Sequence, residues 1–159
     1  MSKKNILFIC IFSFSLLLLI FFFIFLMLNN EKSKTFDLNK LNEEILEKGD
    51  FNTSNLKDID EEYITSVLEI DKKSIKDFIG KVPIIDISSN MYVIIEANTK
   101  EDVAVIKEKL NDYLEKQKEF FSRYLLSEHN LLYESKVEEK GKYVYLIVCE
   151  NMTDIKKLF

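Results

Sequence analysis

The sequence predicts an α+β protein: an N-terminal transmembrane helix, then a two-layer domain in which a four-stranded antiparallel sheet of two hairpins packs on a long amphipathic helix. Three observations carry this reading. Residues 6–28 run for 23 positions without a charge, Pro or Gly, and seven of them are Phe. Further along, two pairs of apolar segments each flank a short polar turn, the mark of a hairpin. Between the pairs lies one apolar stripe at helical spacing, of a width that covers a sheet. The expected order is α-α-β-β-α-β-β-α.

At a rise of about 1.5 Å per residue, the first stretch is roughly 35 Å long as a helix, enough for a hydrocarbon core of about 30 Å. A secretory signal has an apolar region of only about 7 to 15 residues and ends at small residues. Here the stretch runs out through Phe25-Leu26-Met27-Leu28-Asn29-Asn30, so it reads as a retained signal anchor. A lipoprotein signal is the alternative, but Cys10 stands at the start of the apolar run where a lipidated Cys should follow it. Lys3 and Lys4 precede the stretch, and Lys32 and Lys34, offset by Glu31, follow it. The positive-inside bias is slight. The short basic tail before a uniform apolar stretch nevertheless suits a C-terminal domain outside the cytoplasm. The division expected is a cytoplasmic tail at 1–5, a transmembrane helix at 6–28, a linker at 29–36 and an extracytoplasmic domain at 37–159.

Charge divides the chain at the same place. The first 36 residues carry four Lys and one Glu, a balance of +3, so a whole chain at −5 leaves the domain at −8. An acidic domain has no electrostatic footprint for nucleic acid, and anionic lipid would repel it. With Cys10 in the apolar stretch and Cys149 in an apolar strand, no intramolecular disulfide is expected. Three Gly, one Pro and no repeat leave the 123 residues after Phe36 as one domain, large enough to bury its own core.

Along the domain, Leu38, Leu41, Ile45 and Leu46 are spaced for a first helix that stops before Gly49, a residue suited to a left-handed helix end. Asp60 precedes Glu61 and Glu62, acids placed where a helix dipole favours them, so a second short helix runs to Leu68. Asp71 is set to cap one further turn. Residues 78–87 become β-branched and apolar, Ser88-Ser89-Asn90 turns, and residues 91–97 return. Pro83 cannot donate to a ladder, which puts its strand at an edge or a bulge there. Thr99 with Asp102 forms a capping-box pattern opening the long helix. Its stripe is Val103, Ile106, Leu110, Tyr113, Leu114, Phe120, Phe121 and Tyr124. Ser127 to Asn130 reads as a turn, residues 131–138 and 143–149 as the second hairpin about Gly141, and a short helix follows Asn151. In the last strand Tyr143, Tyr145 and Ile147 alternate with Val144, Leu146 and Val148, so both faces are apolar and the second needs a cover: helix one or a partner.

The search for chemistry selects no catalytic residue, no metal ligand set and no cofactor site. His129 is the only His, without a nearby Cys, and reads as a surface or loop-packing residue. Asp58, Asp60, Glu61 and Glu62 form the densest acidic cluster, yet it lacks the turn Gly and distant Glu of a calcium loop. There is no Gly-rich phosphate loop. The aromatic set of Tyr113, Phe120, Phe121, Tyr124, Tyr133, Tyr143 and Tyr145 fits core packing first and a ligand groove second. Asn52-Thr53-Ser54 and Asn151-Met152-Thr153 match the glycosylation pattern, which is frequent by chance. The function that follows is a non-catalytic binding module of the cell envelope with a protein or envelope partner. The alternatives are a carboxylate-dependent envelope hydrolase or a regulatory subunit acting through the membrane segment.

Glu47-Lys48-Gly49-Asp50-Phe51, residues 56–71 with their Asp-Glu-Glu-Tyr core, Val82-Pro83, residues 93–96, and the long helix with Gln117 and Phe120 resemble the bacterial domain-of-unknown-function 4358 family. The likeness extends over residues 38–159. It implies a small secreted lipoprotein or membrane-anchored protein of Gram-positive bacteria. No activity is established for the family, so the resemblance implies location and fold but no catalytic residues. This chain departs from the lipoprotein members in lacking a well-placed lipidation Cys.

Overall fold

The computed structural model describes Phe12 and residues 15–24, 35–85 and 87–159. The chain divides into two units, Met1–Ser33 and Lys34–Phe159. In the first unit, residues 15–24 are helical with exposed side chains. Among the described residues, no helix is long and apolar enough to cross a membrane. The transmembrane helix expected over 6–28 is therefore not a feature of the described structure. The rest of that stretch, the tail at 1–5 and residues 29–34 of the linker lie outside the described residues.

In the second unit, helix α1 (Leu38–Lys48) starts where Asp37 accepts hydrogen bonds from the Asn39 and Lys40 N–H groups at 3.0 and 3.2 Å. It buries Leu38, Leu41 and Ile45. Gly49 ends it in the right-handed conformation, φ −80°, and Asp50 takes the left-handed one, φ 54°. That departs from the expectation for Gly49. The glycine is needed there for space, since a Cβ would fall on the Phe51 ring and 2.9 Å from the Ile45 carbonyl.

Strand β1 (Leu56–Asp58) follows. Asp60 then accepts from Tyr63 N–H at 2.8 Å, and the helix expected here widens into a π turn over Tyr63–Val67. Glu69 reverses the chain at φ 56°, and Ile64, Leu68 and Ile70 go into the core. Asp71 caps the short turn Lys72–Ser74 by accepting from Lys73 N–H at 2.9 Å. Strand β2 (Ile75–Pro83) and strand β3 (Met91–Ala97) form the first hairpin.

Helix α2 (Lys100–Ser122) opens on the full capping box between Thr99 and Asp102. The box holds the Asp102 carboxyl below its ordinary pKa, chiefly through the Thr99 hydroxyl. Helix α3 (Leu126–Glu134), strand β4 (Val137–Lys140), strand β5 (Tyr143–Val148) and helix α4 (Met152–Ile155) complete the unit. The β4–β5 turn places Gly141 at φ 63°, the left-handed region in which glycine has no steric cost.

The sheet has five strands in the order β1-β2-β3-β5-β4, antiparallel throughout. The expectation of four strands is thus corrected by β1, which pairs Leu56, Lys57 and Asp58 with Pro83, Val82 and Lys81. With β1 outside it, β2 is not an edge strand. Pro83 stands at its last position, where a missing donor interrupts nothing, and the irregularity lies between Ile75 and Asp77 instead. Residues 126–134, expected as turn and strand start, are helical because no β-branched side chain opposes it before Val137.

The two-layer arrangement is corrected as well. On one face of the sheet Val93, Ile95, Val144, Leu146 and Val148 join Ile106, Leu110, Leu114, Phe121 and Leu132 of α2 and α3. On the other face Tyr92, Ile94, Tyr145, Ile147 and Cys149 join Leu38, Leu41 and Ile45 of α1 and Ile155 of α4. The result is three layers, and helix one is the cover that both-sided apolarity of β5 demands.

Ile45 is fully buried in that second core. Replacing Ile45 with Ala removes its packing and leaves a cavity, so chemical denaturation should show a loss of about 2–4 kcal/mol. Val105→Ala, on the exposed side of α2, should cost under about 1 kcal/mol in the same measurement.

Candidate functional site

The acidic cluster disperses into local structure. Asp58 pairs with Lys81 at 2.6 Å, Glu61 with Lys72 at 2.6 Å, and Asp60 caps its turn. No group of His, Cys, Asp and Glu that could hold a metal ion occurs among the described residues. Cys149 is buried, with its Sγ 3.6 Å from the Met152 Sδ, and burial pushes its thiol up to about 11. A protonated, enclosed thiol is neither nucleophile nor ligand at neutral pH. Of the glycosylation patterns, Asn52 accepts from the Ser54 hydroxyl at 2.6 Å, and the Asn151 amide donates to the Lys48 carbonyl at 2.9 Å.

The aromatic set divides three ways. Tyr113 and Phe121 lie in the core under α2, and Tyr143 and Tyr145 lie in the core on the opposite face. Burial pushes the Tyr145 hydroxyl up to about 12, and the Phe159 ring stacks on the Tyr145 ring at 3.9 Å. Phe120, Tyr124 and Tyr133 remain at the surface, the two tyrosines 71% exposed. Phe120 and Tyr124 sit where α2 hands over to α3, and Tyr133 near the far end of α3.

That corner is built by the helix period and a tight connection. Phe120 and Phe121 are neighbours about 100° apart around the helix axis, so one faces the sheet and the other solvent. The Phe120 ring lies 5.4 Å from the Tyr124 ring and 5.2 Å from the Phe121 ring. Tyr124 and Leu125 N–H both donate to the Phe121 carbonyl, at 3.1 and 3.0 Å, which turns the chain sharply. Leu126, 72% exposed, comes next.

Beside the corner, α2 and α3 enclose an open groove of about 740 Å³ lined by Glu115, Lys118, Glu119, His129 and Tyr133 among others. Its charges are largely matched: Lys118 Nζ lies 2.8 Å from Glu115, and the Arg123 guanidinium 2.5 Å from Glu119. Lys118 also approaches the Tyr133 ring, 5.9 Å from its centroid. His129 Nδ1 is buried without a hydrogen-bond partner. A general base needs its second nitrogen oriented by an acceptor or donor, and this imidazole has no such group. The groove thus combines an exposed aromatic ring, Tyr133, with paired surface charges.

Sequence reasoning named the aromatic residues but not the helix that separates them. It also missed the β2–β3 loop. Ser89, only 1% exposed, donates from its N–H and its hydroxyl to the Glu128 carboxylate at 2.7 and 2.8 Å. A buried polar residue in a Ser-rich turn carries no periodic signal.

With this geometry in hand, the comparison with known families is specific. Residues 47–149 match the model of DUF4358, a domain of unknown function, and because the match covers well over half of the chain, the protein belongs to that family. The match takes in β1 through β5 and both helices of the groove. No curated protein and no solved structure matches the chain significantly.

The thiol chemistry is directly measurable. With Cys10→Ser leaving Cys149 as the sole thiol, labelling by a maleimide at pH 7.5 should be at least about a hundredfold slower in the native protein than in denaturant. Equal rates would show Cys149 accessible and ionisable.

Proposed function

We propose that the protein is a non-catalytic interaction module, held at a membrane by its apolar N-terminal stretch, whose folded domain binds a protein partner outside the cytoplasm. One observation carries the reading: Phe120, Tyr124 and Leu126 are exposed around the α2–α3 connection, and the exposed Tyr133 lines the adjoining groove. Large aromatic and aliphatic side chains left in water mark contact surfaces, and Tyr and Phe supply area at small entropic cost. The groove beside them offers matched ion pairs, which suit the rim of an interface.

The hydrolase reading draws on carboxylate pairs. Glu115 and Glu119 face the groove, and each is held in an ion pair, with Lys118 and with Arg123, not set as a converging carboxylate pair. The interaction reading is the better supported.

A photo-crosslinking residue placed at Tyr124 in the full chain, in intact cells, should give a protein adduct of one discrete mass, and Leu126→Asp should abolish it. The control is the same residue at the exposed position Glu108. Adduct formation there at equal yield would overturn the reading, as would an adduct at Tyr124 indifferent to Leu126→Asp.

A further inference from the structure

Strand β1 covers only part of its neighbour. Its three residues pair with Lys81, Val82 and Pro83, so along Ile75–Gly80 strand β2 has β3 on one side and no strand on the other. The bond nearest this uncovered stretch runs from Ile59 N–H to the Gly80 carbonyl at 3.0 Å. In an antiparallel sheet the N–H and carbonyl of one residue point the same way, and those of the next residue point the other way. Phe78, two positions before Gly80, therefore turns both groups to the uncovered side. Among the described residues its N–H has one acceptor, the carboxylate of the preceding Asp77, at 2.9 Å.

The chain does not fill the space that β1 leaves. Past Asp60 it folds into the π turn Tyr63–Val67, and between that turn and β2 lies a partly enclosed pocket of about 190 Å³. Ile64, Ile75 and Phe78 line it and belong to the first core, Ile64 fully buried and the other two partly. The exposed lining includes Thr65 and the Lys72–Glu61 ion pair, 2.6 Å apart. β2 is bulged between Ile75 and Asp77, so a π turn and a bulge border the same pocket. Both are departures from regular backbone that recur beside binding sites.

An uncovered strand edge with a side-chain pocket beside it is complementary to another extended main chain. A peptide residue returns an acceptor and a donor at the spacing of one strand residue, and its side chain falls on the same face as that of the residue it pairs with. Opposite Phe78, that side chain enters the pocket with Ile64 and Ile75. A small apolar ligand would fill the same space but leave the Phe78 carbonyl without a donor. Lys72 and Glu61 already pair with each other, so the lining asks for an aliphatic side chain and imposes no charge on it.

We infer that this edge binds an extended peptide segment, which adds to β2 as a short strand at Phe78 and places one aliphatic side chain in the pocket. Asp77 is the resident stand-in: its carboxylate holds the N–H that the peptide carbonyl takes over. The site shares no residue with the α2–α3 corner and stands whether or not that corner binds a partner.

The probes are four capped, fluorescent hexapeptides of Thr and Ser with Val, Leu, Ile or Phe near the centre, each made also with an N-methyl group on that apolar residue. With the full chain in neutral-lipid nanodiscs, fluorescence anisotropy should show saturable binding of at least one aliphatic peptide. N-methylation, which removes the donor to the Phe78 carbonyl, should weaken it about tenfold. Asp77→Ala takes away the stand-in acceptor and should tighten binding about threefold. Thr65→Trp, at an exposed position of the π turn, should fill the pocket and weaken binding about tenfold. Absence of binding by all the aliphatic peptides, equal affinity of the N-methylated forms, or weaker binding to Asp77→Ala would overturn the inference. So would unchanged binding to a Thr65→Trp chain that keeps its thermal melt; should that variant fail to fold, the N-methyl and Asp77→Ala arms decide. Binding lost in Leu126→Asp and kept in Thr65→Trp would put the peptide at the α2–α3 corner and sink this site alone. The Tyr124 crosslink in cells reports on the corner and leaves the β2 edge to these measurements.

Discussion

The architecture depends on one constraint: the two central strands, β3 and β5, are apolar on both faces. Every residue of Met91–Ala97 and of Tyr143–Val148 is buried. A strand pair of that kind is insoluble unless both sides are covered, so helices have to arrive from both directions. α2 and α3 do so on one side, and α1 with the C-terminal segment on the other. The edge strands β1 and β4 are short and charged. β1 presents Lys57 and Asp58, and β4 presents Glu138, Glu139 and Lys140, a composition that discourages edge-to-edge pairing with another chain.

Polar groups drawn into this core are matched. Glu96, on the second face, is 8% exposed and meets the Lys76 ammonium at 2.7 Å, which holds that ammonium above its ordinary pKa. The Tyr92 hydroxyl donates to the Asn42 side-chain carbonyl at 2.5 Å, and the Tyr63 and Tyr113 hydroxyls meet at 2.8 Å. These bonds join helices to strands and the π turn to α2, so they specify how layers seat more than they add stability. Among the described residues His129 Nδ1 is the exception, buried beside the groove without a hydrogen-bond partner. Of the groove's carboxylates, Glu115 and Glu119 are held in ion pairs at the surface.

Much of the fold was legible because the long elements are strongly periodic. The stripe from Val103 to Phe121 and the capping box at Thr99 mark α2, and continuous β-branched runs mark β3 and β5. The alternation of Tyr143, Tyr145 and Ile147 with Val144, Leu146 and Val148 even signalled that a second cover was needed. What failed were short elements set by tertiary contact. β1 has three residues, too few for alternation to register, and α3 begins after Leu125, which supplies no capping side chain. The candidate site was half legible for the same reason. The aromatic residues stood out by type, but the separation of Phe120 from Phe121, and of Tyr133 from the core, follows from where α3 packs. The apolar run 78–87 was read as one strand, whereas pairing stops at Pro83 and leaves the last isoleucines exposed.

Those exposed isoleucines and the uncapped start of α3 are coupled through one carboxylate. A helix whose first residues lack a side-chain cap carries unsatisfied N–H groups and a partial positive charge, and an acid in its first turn offsets that charge. Glu128 is the acid in the first turn of α3. Its carboxylate is turned to the Ser89 N–H and hydroxyl, so the charge that stabilises the helix start also closes the β2–β3 loop. Ser89 is buried by this contact, and a buried N–H without an acceptor costs about 1–3 kcal/mol. The same carboxylate thus ties the β2–β3 loop to the start of α3.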